Sequence, residues 1–322
     1  MTETDFVLVD GGFETQLRKY VGSGFEGHPL WICRYLVENP ESCRKAHQDY
    51  IQCGSDMIQT NTYQVTIDGF KKHLGFDREK TLEMIKSAVT ICKEAIDIEK
   101  FKGHKSSVST MGLVGPYGAH LNNGCEYAGG VYADDMTITE LADWHRPKIE
   151  ALIEGGSDCL IIATIPSLKE AEAIIEVVKE HPGMKFILSF SAQNEKTISH
   201  GEKMSEVAQR CWELAADQIL AIGVNCQHPR FSVPLLRSIK EANPNIPLFV
   251  KANTTEIFNT TTKEWESADS GRSLQEYCRD WLELGVKYIG GCCRTTVDDI
   301  SSFREEIRKF KMKNDNTNVV KD

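Results

Sequence analysis

Three cysteines are the residues best placed to do chemistry in this chain. Cys226 closes the run Gly223-Val224-Asn225-Cys226, and Cys292 and Cys293 close Gly290-Gly291-Cys292-Cys293-Arg294. Adjacent cysteines rarely bond to each other, because the ring they would form is strained. Two thiols emerging side by side are better placed to share a soft metal ion with a third. The glycines before them let the backbone approach another group closely. Three thiolates with one open position form the donor set of a catalytic zinc, whereas a structural zinc has four protein ligands. No fourth ligand is apparent in the sequence. The competing reading is three buried thiols in a chain with eleven cysteines, since free cysteine is common in cores. Placement of all three at strand ends favours the metal.

The elements around them explain how distant cysteines can meet. Eight strand candidates recur, each an apolar run followed by a turn and an amphipathic segment: 6–10, 57–62, 107–115, 159–164, 186–191, 219–226, 247–253 and 286–293. Several are almost continuously apolar, as parallel strands covered on both faces are. Helices are expected over 41–55, 80–99, 139–154, 167–181, 205–216, 234–242, 273–285 and 297–309. Thr139 is the expected N-cap of the third, and Ser167 with Glu170 has capping-box spacing. Eight alternating units predict a single α/β domain, a (β/α)8 TIM-type barrel over residues 1–310; an open doubly wound sheet is the competing topology. Residues 311–322 read as a polar, frayed tail. In such a barrel all strand ends that carry chemistry emerge on one face. Strands six and eight are near neighbours on that face, so their three thiols converge there. The long Gly-rich stretch 115–135 follows strand three, where loops serve active sites.

Composition narrows the function. The formal charge is −10 and hydrophobic residues make up 41% of the chain. A sizeable core is available, but an acidic chain lacks the basic stripe that nucleic acid requires. No apolar run is long enough for a membrane span, and the first residues do not read as a secretory signal. A cytoplasmic protein is expected, and an odd number of cysteines is not a disulfide framework. No oligomeric state is specified; a monomer suffices for the site.

Other polar residues carry weaker signals. Cys33, Cys92 and Cys211 sit singly and read as core filler. His145 reads as a structural hydrogen-bonding group. No Cys-x-x-Cys pair or phosphate-cradling glycine loop occurs, which argues against thiol redox and nucleotide chemistry. Asp10-Gly11-Gly12 ends the first strand and could present backbone N–H groups to a carboxylate; an ordinary strand-to-helix turn is an equal reading.

Several of these pieces match one family. The chain resembles the homocysteine S-methyltransferases over essentially its whole length, closest to the branch that uses S-methylmethionine or S-adenosylmethionine rather than betaine. The resemblance rests on Asp10-Gly11-Gly12 with Thr15 and Leu17, Leu30-Trp31, Thr62-Tyr63-Gln64, Gly115-Pro116-Tyr117-Gly118, Glu126-Tyr127 and His145-Arg146-Pro147, and above all on the two cysteine motifs. It implies a (β/α)8 barrel with Zn2+ held by Cys226, Cys292 and Cys293, and a homocysteine pocket lined by Asp10, Gly11, Gly12, Thr62 and Asn225. Two positions depart from the family. Most relatives end the fourth strand in a glutamate that binds the substrate amino group; here that position is Ala163, followed by Thr164 and Pro166. Losing such a charge-assisted partner costs about 1.5–3 kcal/mol, roughly ten- to a hundredfold in affinity. The seventh strand reads Ala252-Asn253-Thr254-Thr255-Glu256 where relatives often read Pro-Asn-Ser-Gly-Glu.

The chemistry so implied needs a thiolate, because the thiolate is the nucleophile and an ordinary thiol is mostly protonated at neutral pH. Zinc ionises a coordinating thiol outright. The expected reaction moves a methyl group from a sulfonium donor to the sulfur of homocysteine, or to selenium in selenohomocysteine or selenocysteine, and gives methionine from homocysteine. A sulfonium is a cation that aromatic faces attract; Trp31, Tyr63, Tyr117 and Tyr127 are the candidates, with packing the competing role for each. Ala163 keeps one alternative open, a non-catalytic or divergent zinc-binding barrel with weakened amino-acid binding.

Overall fold

The apolar runs form eight parallel strands, Val7–Leu8, Met57–Gln59, Ser109–Val114, Cys159–Ile165, Phe186–Phe190, Ile219–Asn225, Leu248–Ala252 and Tyr288–Gly291. They are numbered one to eight here. In the computed structural model, which describes residues 6–104, 107–259, 264–267 and 271–319, they pair in the order one, eight, seven, six, five, four, three, two. A parallel bridge between Val9 and Met57 joins the two ends. That closure, with helices outside, makes a (β/α)8 barrel rather than an open sheet.

The fourth strand shows why this sequence folds so. Leu160 and Ile162 belong to the large outer core under the helices, whereas Cys159, Ile161 and Ala163 belong to the inner core of the barrel. This is the two-residue alternation of a strand buried on both faces. Val9, Met111, Leu113, Ile187, Ala221, Phe249 and Tyr288 complete most of the inner core, so the barrel is filled rather than hollow. The alternation breaks at Thr164, whose φ is 65°. Pairing with strand five shifts register there, and Ile165 joins the outer core. A β-branched residue in the left-handed region is strained, and it sits where the strand enters the active face.

Below the barrel, two Ser-Asp turns anchor strands in the same way. Asp56 accepts from the Leu8 N–H at 2.6 Å and Asp158 from the Thr110 N–H at 2.7 Å. The helices follow the expected positions with corrections. The third expected helix begins at Ile138, capped by Thr137 rather than Thr139; Thr137 and Glu140 form a reciprocal capping box. Ser167 caps Leu168–Lys179, but the Glu170 side chain turns inward instead of closing the box, bonding Tyr132 and His145. The last helix spans Val297–Val319, across the boundary expected at residue 310; residues 320–322 lie outside the described residues. An antiparallel hairpin, Glu256–Asn259 with Glu264–Ser267, follows strand seven. Its strands, four residues each, are too short to carry an alternation that would announce them.

One buried group makes the fold acid-sensitive. His47 is 1% exposed, stacks on Phe13 at 4.5 Å, and is held down to about 3 by burial. A base whose folded value is depressed gains protons on unfolding. Its stabilisation is complete above the unfolded value near 6.5 and is lost as pH falls from there toward 3, by about 1.4 kcal/mol per pH unit. Thermal melting from pH 7 to pH 5 is expected to show this slope, and His47→Gln is expected to flatten it. An unchanged slope in the variant would reject the assignment.

Candidate active site

The three cysteine sulfurs meet at the mouth of the barrel. Cys226 Sγ lies 3.9 Å from Cys293 Sγ, and all three lie within 4.8 Å of one another. Sulfurs bound tetrahedrally to a zinc at 2.3 Å would sit about 3.8 Å apart, so the donor set and its spacing both fit a metal. Each cysteine is aimed by its backbone. Cys226 has φ 55° and donates its N–H to the Lys251 carbonyl at 3.1 Å; Cys292 donates to the Ala252 carbonyl at 2.7 Å. Cys293 donates to Asn253 Oδ1 at 3.1 Å, so the surviving asparagine of the altered seventh-strand motif positions a sulfur. Thr295 ties the cysteine turn to the first strand's turn, accepting from the Gly12 N–H at 2.9 Å and donating to the Cys292 carbonyl at 2.7 Å. A Cβ on Gly12 would lie 2.5 Å from that carbonyl, which is why glycine is needed there.

The electrostatics suit a cluster that holds negative charge. Hydrogen bonds from Cys226 and then Cys293 push the Cys292 thiol well below its ordinary range, with the Lys251 charge helping. The bond to Cys292 pushes Cys226 up, as expected of a thiol that shares a neighbour's ionisation. Lys251 Nζ donates to Asp10 Oδ1 at 2.6 Å, both side chains being buried. Burial raises Asp10 despite that lysine.

A concave cavity opens beside the sulfurs, the form that small-molecule sites take. Gly11, Gly12, Trp31, Tyr63, Tyr127, Ala163 and Asn225 line it together with Cys226, Cys292 and Cys293. Leu113, Ile161 and Ala163 give it an apolar floor. Phe13 and Glu14 also line it, at the start of helix Phe13–Val21, which no side chain caps. Three expected residues stand elsewhere. Asp10 lies behind the wall with both carboxylate oxygens occupied, by Lys251 and by the Gln59 N–H. The Thr62 hydroxyl donates to the Leu113 carbonyl at 2.7 Å. Tyr117 packs on Trp144 and Tyr132, and Glu170 accepts its backbone N–H.

Asn225 lines the cavity, but its carboxamide is already occupied. Its Oδ1 accepts from the Thr164 N–H at 2.8 Å and the Ser189 hydroxyl at 2.7 Å, and its Nδ2 donates to Thr164 Oγ1 at 2.8 Å. It therefore clamps the strained Thr164. Asn225→Ala is expected to cost roughly 2–3 kcal/mol and to loosen the neighbouring Cys226. Thermal melting with a metal-affinity titration checks this, and unchanged values in both would reject the clamp.

Lys251 and Thr164 are site residues that the sequence reading passed over. A signal existed for the first, since a lysine inside the apolar run Leu248-Phe249-Val250-Lys251-Ala252 is buried only with a partner. For Thr164 the signal was its place in the fourth-strand motif; its left-handed backbone is a tertiary property that the motif does not show.

Comparison with known proteins agrees with this geometry. A family profile described as homocysteine S-methyltransferase matches residues 7–307. A Drosophila melanogaster protein named betaine-homocysteine S-methyltransferase is 37% identical, with 97% of each chain covered. A Bacillus subtilis homocysteine S-methyltransferase, YbgG, is 35% identical, with 95% of each covered. The crystal structure of the metallated form of the homocysteine methyltransferase MmuM from Escherichia coli superposes with a TM-score of 0.80 at 30% identity, covering 94% of this chain and 96% of that one. Fold, sulfur cluster and sequence thus lead to one conclusion: this enzyme belongs to the homocysteine S-methyltransferase family.

Proposed function

We propose that the protein is a zinc-dependent methyltransferase that moves a methyl group from a sulfonium donor, S-methylmethionine or S-adenosylmethionine, to the sulfur of homocysteine. The observation that carries this is the convergence of three cysteine sulfurs on a cavity with aromatic walls. Cys226, Cys292 and Cys293 would hold the zinc, whose contribution is to ionise an incoming thiol. The chain's own residues do the rest. The uncapped start of helix Phe13–Val21 borders the cavity and suits a substrate carboxylate, since helix N-termini attract anions. Trp31, Tyr63 and Tyr127 offer faces to a cationic donor. The apolar floor excludes water, so the acceptor sulfur remains a poorly solvated nucleophile. It attacks the donor methyl carbon in line as the donor C–S bond breaks, leaving a neutral thioether on each side. No proton moves in that step, which suits a cavity without an acid–base pair.

Aromatic faces suit any onium cation, and one relative is named for betaine; the motif resemblance supports the sulfonium. The eleven cysteines, all free, suit a reducing compartment such as the cytoplasm. Among the described residues no helix is long and apolar enough to cross a membrane. The non-catalytic barrel is not favoured, because the relatives are named as methyltransferases. A donor screen on zinc-analysed protein tests the proposal. Methionine formation with a sulfonium is expected. Turnover with betaine alone would overturn the donor assignment, and zinc without any turnover would restore the binding-protein alternative.

A further inference from the structure

An amino-acid substrate brings an α-ammonium into this cavity, and an ammonium buried without a counter-charge is costly. The acids of the neighbourhood are mostly engaged. Asp10 is held by Lys251 and the Gln59 N–H. Glu14 pairs with Arg18 at 3.1 Å and accepts from Thr15. Glu170 accepts from the Tyr117 N–H, the Tyr132 hydroxyl and His145. On the cavity wall, position 163 is an alanine.

Glu126 is different. It is 8% exposed, and its Oε2 is buried with no hydrogen-bond partner. The loop holds it firmly. The Glu126 carbonyl accepts from the Ser191 hydroxyl at 2.6 Å, Tyr127 donates its N–H to the Gly124 carbonyl at 3.0 Å, and a Cβ on Gly118 would come within 2.9 Å of the Glu126 nitrogen. The next residue, Tyr127, lines the cavity. The Tyr63 hydroxyl is likewise buried, close to the Thr164 side chain but with no well-aligned hydrogen bond, on a ring that lines the cavity. Burial raises that phenol well above its usual range, and the charges of Glu126 and then Cys226 add to the effect. Both the carboxylate and the sulfur cluster are therefore within electrostatic reach of one buried hydroxyl. Burial raises Glu126 as well, against the pull of its own backbone N–H, as expected of a buried carboxylate without a counter-charge. Buried polar atoms are almost always satisfied. Two oxygens left without a well-aligned bond, one on the cavity-lining Tyr63 and one on the residue next to the cavity-lining Tyr127, leave acceptors that an ammonium, with three donors, would fill.

Resting on the methyl-transfer reading above, we infer that Glu126, with the Tyr63 hydroxyl, forms the subsite that binds the α-ammonium of an amino-acid substrate. Acceptor and donor both carry that group, and the test separates them. Glu126→Gln keeps the shape and removes the charge. KM is measured for homocysteine and S-methylmethionine, and for des-amino counterparts, 4-mercaptobutanoate as acceptor and (3-carboxypropyl)dimethylsulfonium as donor. The KM of one amino-acid substrate is expected to rise roughly ten- to a hundredfold. Its des-amino counterpart, kcat and zinc content should be unchanged, and the ligand-free variant should melt no lower than the parent. A rise confined to homocysteine assigns the subsite to the acceptor, and one confined to S-methylmethionine assigns it to the donor. Unchanged KM values, an equal loss with the des-amino compounds, or the same rise in Glu14→Gln instead would overturn the inference. Calorimetric binding of each substrate, read without turnover, keeps this separate from the function itself. Binding that depends on Glu126 in a protein that transfers no methyl group would preserve the subsite and remove the methyl-transfer reading.

Discussion

Cys292→Ala is expected to give a folded barrel that retains little metal and transfers methyl groups at least about a hundredfold more slowly. Altering a residue that merely supports a metal ligand already costs 10- to 100-fold, and this change removes a ligand. Cys292 is also the sulfur whose ionisation the other two thiols favour, so the change removes the sulfur readiest to bind as thiolate. The fold should survive. The Cys292 backbone N–H still donates to the Ala252 carbonyl, and the Thr295 tie uses the Cys292 carbonyl rather than its side chain. Circular dichroism and metal analysis check the two halves together. Full metal content in the variant would contradict the ligand assignment.

Asp10→Ala is expected to have the largest effect on stability. The Lys251–Asp10 pair lies inside the barrel with side chains 3% and 0% exposed. Removing one partner of a buried pair costs about 3–5 kcal/mol, because the remaining charge stays buried and unpaired. A fall in melting temperature of roughly 10 °C follows. Asp10→Ala combined with Lys251→Met removes both charges and is expected to recover much of the loss. A double variant as unstable as the single would show that packing, not charge, is what Asp10 contributes. The pair also bears on the chemistry, since the lysine charge favours ionised Cys292. The double variant should therefore bind metal less tightly even where its stability recovers.

What the sequence made legible was whatever one strand or one helix decides locally. The runs around Cys159–Ile165 and Ile219–Asn225 are apolar enough to be strands, and their order puts Cys226 beside Cys292 and Cys293 without any knowledge of contacts. Side-chain roles within the cavity were less legible. Asp10 and Asn225 sit next to the sulfurs in the fold, yet their polar atoms face other protein groups, one pairing with Lys251 and the other clamping Thr164. Which way a polar side chain bonds depends on partners tens or hundreds of residues away. Tyr117 illustrates the same limit. Its motif adjoins the active face, but the inward turn of Glu170 draws it toward Trp144 and Tyr132. The capping-box spacing at Ser167 and Glu170 was a true signal for the helix start and a misleading one for the glutamate's partner.

Sulfur-sensitive X-ray absorption at the zinc edge, on zinc-loaded protein with and without homocysteine, tests the central claim most directly. Three sulfur neighbours in the resting protein and a fourth on adding homocysteine are expected. Fewer than three at rest, or a count that homocysteine leaves unchanged, would contradict it.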